Sequence, residues 1–159
     1  MLIVLFSLTA AVVGHAQPRM PHRGYLRHGM SMIRHHFVHE HGIDARYAGK
    51  SSPLEPTADD LAQGGALYAI QCAGCHGPKG AGDGEAGVAL TPPPANLAWA
   101  SRRRMATDDY LFWTIAAGGV PVGSAMPPFE TVLGELEIWQ VIAHLRSRST
   151  ECRGARGCE

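Results

Sequence analysis

The chain carries no surplus of charge, no apolar run long enough to cross a bilayer comfortably, and no second cysteine pair close to its first. Fourteen Lys and Arg balance fourteen Asp and Glu. The only basic excess lies in a polar leader without a recognition motif, which excludes a nucleic-acid footprint. The apolar run Leu2 to Val13 is interrupted by Ser7 and Thr9 and falls short of the roughly 20 residues a membrane helix needs. Small residues follow it at Gly14-His15-Ala16, so residues 1–16 read as a signal peptide cleaved after Ala16, which implies export to the periplasm. No Lys or Arg precedes the run, and retention as an uncleaved membrane anchor is the alternative. No cysteine follows it at a position suited to lipid attachment. Cys152 and Cys158 lie near the end of the chain, far from Cys72 and Cys75, and this separation argues against a shared zinc site.

The most telling stretch is Cys72-Ala73-Gly74-Cys75-His76. Two cysteines three apart with a histidine directly after them form the spacing at which haem c is attached covalently. The thiols add to the porphyrin vinyl groups and the adjacent imidazole is held against one face of the iron. A thioredoxin-like pair would follow a strand, whereas the residues before Cys72 have helical spacing. Haem c is attached outside the cytoplasmic membrane in bacteria, in agreement with an exported chain.

Punctuation divides the rest. Residues 17–52 form a leader rich in His and Arg that ends at Pro53 and Pro56, and residues 53–147 form one domain. The leader carries six Lys or Arg against two acids, while residues 51–147 carry five against ten. A helix is predicted from about Thr57 to Gln71, capped by Thr57 with Asp60 three residues on, with Leu61, Gly64, Leu67, Tyr68 and Gln71 on one side. Gly77 to Pro94 holds five glycines and four prolines in eighteen residues and is predicted to be irregular, long enough to wrap the edge of a haem. A second helix is expected from Thr107-Asp108-Asp109 to Gly118-Gly119. A third, about Glu135 to Arg146, has Leu136, Trp139, Ile142, Ala143 and Leu145 on its apolar side. Three short helices do not easily fill a core, and a buried macrocycle supplies the missing apolar volume.

These residues resemble the small, single-haem class I cytochromes c over Pro53 to Ser147. The likeness rests on Gly64 and Tyr68 before the cysteines, the attachment motif with its trailing Gly77, Ala125-Met126-Pro127-Pro128-Phe129, and Glu137-Ile138-Trp139. It implies an all-α fold of three or more short helices around one covalently held haem, with Gly64, Tyr68 and Trp139 at the crossing of the first and last helices. The expected site is Cys72 and Cys75 for covalent attachment and His76 and Met126 as axial iron ligands, with Met105 the rival for the second position. A methionine ligand is soft and uncharged, favours ferrous iron and raises the potential compared with bis-histidine ligation. The resemblance also implies a backbone carbonyl accepting from the free nitrogen of His76, for which Pro92, Pro93 and Pro94 are the candidates. Asn96, Tyr110, Trp113 and the run Arg102-Arg103-Arg104 are further candidates to reach the haem carboxylates, with Trp113 better read as core.

The function implied is one-electron carriage between redox proteins, without catalysis, small-molecule substrate or nucleic acid. Two alternatives fit the same residues: a fixed haem subunit of a membrane dehydrogenase or haem-copper oxidase assembly, and a haem protein whose labile sixth site binds small ligands. In the leader, Met30, Met32 and His35, His36, His39 and His41 form a ligand set suited to copper. The preferred reading is a polar extension packing beside the domain, since Tyr25, Leu26, Ile33, Phe37, Val38, Ile43 and Tyr47 are interspersed there. In the tail, residues 148–159, Cys152 and Cys158 are spaced to close a small disulfide loop in an oxidising compartment.

Overall fold

Thr57 opens the helix that leads into the cysteine pair. Its hydroxyl accepts from the Asp60 amide while the Asp60 carboxylate accepts from the Thr57 amide, satisfying two otherwise orphaned donors. The computed structural model describes residues 33–151; the predicted signal peptide, Met30, Met32, Cys152 and Cys158 lie outside them. The elements are α1 (residues 33–41), α2 (Ala58–Gln71), α3 (Ala73–His76), α4 (Leu97–Ala100), α5 (Asp108–Ala116) and α6 (Glu135–Glu151). Single 3-10 turns lie at Glu85–Gly87 and Val120–Val122. No strand occurs among the described residues, and no helix there is long and apolar enough to cross a membrane. The fold is all-α, and the stretch from Gly77 to Pro94 is irregular apart from its one 3-10 turn.

α2 packs on α6 at a point of very close approach. A Cβ at Gly64 would lie 2.0 Å from the Gln140 carbonyl oxygen, so only glycine allows the two backbones this separation. Tyr68, one turn on, packs its ring 5.7 Å from that of His144. Trp139, expected at the same crossing, instead meets Phe112 of α5 at 4.7 Å between ring centroids. The largest fully buried side chains are Trp113, Trp139, Ile138, Ile142 and Val141, so the centre of the core lies between α5 and α6.

α6 departs from expectation in two ways. It continues to Glu151, and no glycine or proline lies between Arg146 and that residue to stop it. Its buried stripe includes Ile138 and Val141, while Leu136 is half exposed. Arg146 therefore sits within the helix, where it pairs with the Asp108 carboxylate and donates to the Ala106 carbonyl at 3.1 Å, binding α6 to the start of α5.

The leader joins this core. Tyr47 is buried, and Phe37, Val38 and Ile43 pack against the same cluster; Phe37 stacks on Trp113 at 6.0 Å. Polar ties fasten its end: the Tyr47 hydroxyl donates to Glu130, Lys50 meets Glu135 at 2.8 Å, and the Gly49 and Ser52 amides donate to Asp109 and Asp108. The basic leader and the acidic domain are thus complementary in contact as well as in composition.

Gly64→Ala is expected to force α2 and α6 apart and to destabilise the folded protein by about 1–3 kcal/mol, read as a lower denaturant midpoint; an unchanged midpoint contradicts the close crossing. Burial alone would raise the Asp108 pKa, but its hydrogen bonds from Ser52 and Arg146 outweigh this and hold it below 3.8. Its contribution is therefore present above the ordinary carboxylate range and lost as pH falls through the depressed value. Asp108→Asn should cost about 1–2 kcal/mol at neutral pH, and the gap to the parent should close on acidification. A gap independent of pH counts against the ion pair.

Candidate functional site

α2 ends at Gln71, and the chain turns at once into the single helical turn α3. The Cys75 and His76 amides both bond back to the Cys72 carbonyl, at 3.2 and 2.9 Å, which stacks Cys72 and Cys75 one turn apart with His76 beside them. The glycine-rich loop then folds directly beneath this turn. The Gly82 amide donates to the His76 carbonyl at 2.7 Å and the Gly84 amide to the Cys75 carbonyl at 3.1 Å. A Cβ at Gly84 would lie 2.3 Å from the Gly74 carbonyl oxygen, which explains glycine there by contact with the motif rather than by flexibility. From α2, the buried Tyr68 hydroxyl donates to the Gly77 carbonyl at 2.7 Å and closes the end of the turn.

The His76 ring is oriented by its Nδ1, which lies 3.0 Å from the Ala95 carbonyl oxygen. A carbonyl only accepts, so Nδ1 carries the proton and the lone pair is on Nε2. Burial lowers the pKa of this imidazole, with the Ala95 contact acting in the opposite direction, so the ring is neutral at neutral pH. The acceptor is Ala95, not Pro92, Pro93 or Pro94. The returning loop is pinned by the Leu97 amide on the Gly80 carbonyl at 2.7 Å, and that register puts the residue after the three prolines opposite His76.

The thiols are unpaired. Burial, with Cys75 adding to it, pushes the Cys72 thiol up to about 11. This is the opposite direction to the lowered thiol pKa on which thiol-disulfide exchange depends.

Met126 arrives from the other side of the sequence. Its carbonyl accepts from the Gly119 amide at 2.8 Å, and the Phe129 and Glu130 amides donate to the Ile115 and Ala116 carbonyls at 3.1 and 3.2 Å. The proline-stiffened loop is thereby fastened to the end of α5. Cys72, Cys75, His76 and Met126 all line one cavity, and Met105 lines it too. Of the weaker candidates, Tyr110 lines the cavity, Asn96 caps α4 by accepting from the Trp99 amide at 2.9 Å, and Trp113 is core. Arg102, Arg103 and Arg104 are exposed, with Arg103 resting 4.7 Å over the Trp99 ring. No group of three or more His, Cys, Asp or Glu side chains suited to a metal ion occurs among the described residues, which include His35 to His41.

Two classes of lining residue were not legible in the sequence. Leu90, Leu97, Leu111 and Ile115 make the wall largely apolar. Against it stand Arg34, Ser101 and Thr114, each with a buried polar atom that has no partner among the described residues: Arg34 Nη1, Ser101 Oγ and Thr114 Oγ1. Ser101 and Thr114 had no signal beyond helical position, and Arg34 is one basic residue among several in the leader. A flat apolar macrocycle with acidic groups at its edge fits this combination of wall and orphaned donors. Cys72 and Cys75 would tether it, and His76 Nε2 and a thioether sulfur would face its metal.

No curated protein matches the chain. A family model described as cytochrome C oxidase, cbb3-type, subunit III matches residues 59–145, more than half of the 159. The matched segment begins inside α2 and ends inside α6, so it holds the helix crossing, the cysteine turn and the Met126 loop together. The chain belongs to this family, is a c-type cytochrome, and works through electron transfer on haem c.

Proposed function

We propose that the protein is an exported electron carrier holding a single haem c, with His76 and Met126 as axial ligands and no catalytic role of its own. The observation that carries this reading is the convergence of Cys72, Cys75, His76 and Met126 on one largely apolar cavity. A haem bound there supplies reversible one-electron chemistry between ferric and ferrous iron. The protein's part is to hold and tune it. Cys72 and Cys75 anchor it through thioethers, and Ala95 fixes the His76 ring and makes Nε2 the donor atom. Met126 offers a soft, neutral sulfur that favours the ferrous state. With His76 and Met126 both holding the iron, no substrate would reach the metal and no general acid or base would be needed.

The family match favours one setting for this chemistry, a haem-bearing subunit passing electrons to a haem-copper oxidase. The redox partners are then a donor protein and the oxidase itself. An N-terminal signal over residues 1–16 supports a site of action outside the cytoplasmic membrane, where haem c is attached.

The deciding measurement is the visible spectrum of ferric protein made with the haem-attachment machinery. A weak far-red band from sulfur on iron is expected, lost in Met126→Ala and kept in Met105→Ala. The reverse pattern assigns the ligand to Met105, and absence of the band with immediate binding of carbon monoxide to the reduced protein replaces the carrier by a ligand-binding haem protein. Met126→His should lower the reduction potential by a sizeable part of the roughly 0.8 V over which axial ligands tune haem; no fall rejects Met126. Replacing both Cys72 and Cys75 by Ala should leave a pigment that acidified acetone extracts, whereas the parent should retain all of it.

A further inference from the structure

Arg34 lies on α1, before the family-matched residues 59–145, yet it reaches the cavity that those residues build. Among the described residues it is the only side chain with a permanent charge that lines this cavity. Arg34 is 8% exposed; its guanidinium donates from Nη2 to the Gly118 carbonyl at 2.9 Å and lies 4.9 Å over the Trp113 ring. Its Nη1 is buried with no partner, and no ion pair to Arg34 occurs among the described residues. A carbonyl and a ring face offset only part of the cost of burying a full charge, which ordinarily demands an anionic partner. The described residues supply none at this place. The haem does, because its porphyrin carries two carboxylates and is otherwise apolar.

We infer that the Arg34 guanidinium pairs through Nη1 with a haem carboxylate, so that the leader supplies the cofactor's counter-charge. The inference rests on haem occupying this cavity. Guanidinium is suited to the role by its rigid fork of donors, which matches the two oxygens of a carboxylate. The Ser101 and Thr114 hydroxyls are the neutral donors left for the remaining carboxylate oxygens. Gly118 and Trp113 hold the guanidinium, and they neighbour Ile115, Ala116 and Gly119, whose backbone groups fasten the Met126 loop. Burial lowers the Arg34 pKa, the cost expected of a cation whose partner is not a protein group.

The test uses the full chain carrying covalent haem, with Arg34→Met and Arg34→Lys, each checked for haem content. Resonance Raman of the ferrous protein reads the bending band of the haem carboxylate chains, which responds to hydrogen bonding at those groups and not to packing elsewhere. Arg34→Met is expected to shift this band and to lower the reduction potential, since a nearby cation favours the less positive ferrous iron. Arg34→Lys, which keeps the charge but loses the fork, is expected to shift the band with a smaller change in potential. A band and potential identical to the parent in folded Arg34→Met overturn the pairing and leave Arg34 a tie between Gly118 and Trp113. Where Arg34→Met does not fold, an unshifted band in Arg34→Lys overturns it equally. A parent chain that takes up no haem overturns the haem assignment itself, a result distinguishable from the others by the absence of pigment.

Discussion

Everything in the site depends on how closely α2 and α6 approach at Gly64. With the Gln140 carbonyl occupying the space a side chain would need, the two helices form one rigid unit, reinforced where Gln140 donates to Asp60 at 3.0 Å. α2 runs straight from this contact into Cys72, and the Tyr68 hydroxyl carries the same rigidity to Gly77. α6 in turn presents Trp139 to Phe112 and Arg146 to Asp108, which fixes α5 and the loop that leaves it. The two halves of the site, the cysteine turn and the Met126 loop, are distant in sequence but are tied to one helix pair, the first through α2 and the second through α5 packed on α6. Their relation is rigid because the pair is.

The motif and its supports were legible because they are local. Thr57 with Asp60, two cysteines three apart, and glycines and prolines packed into eighteen residues each encode a conformation within a few neighbours. What escaped depends on tertiary register. Ala95 rather than a proline faces His76 because of a bond between Leu97 and Gly80, seventeen residues apart, that no local pattern specifies. Ile138 and Val141 are buried because α6 is covered on a wider arc than one apolar stripe, by α2 on one side and α5 on another. Tyr68 meets His144 and not Trp139 because helical spacing identifies a face but not which neighbour it turns to. The end of α6 was underestimated because a basic residue suits a helix terminus without requiring one.

The leader shows how composition can hint at an arrangement without disclosing its purpose. Its apolar residues foretold partial folding, and its basic character stood in contrast to the acidic domain. Neither property distinguishes Arg34, buried at the cavity, from Arg46, exposed and paired with Asp44. The difference lies in where α1 crosses the end of α5, a matter of packing between Phe37 and Trp113.

The bonds that seat this leader are among those joining residues farthest apart along the chain: Arg34 to Gly118 spans 84 positions, Tyr47 to Glu130 spans 83, and Lys50 to Glu135 spans 85. The entropic cost of such closures grows only slowly with their length, but each of them needs both ends of the described fold in place. The leader therefore depends for its seat on α5, α6 and the loop between them, where the partners of all three bonds lie. The flank of the cavity that Arg34 lines is thus held by both ends of the described fold, and a disturbance at either end is felt there.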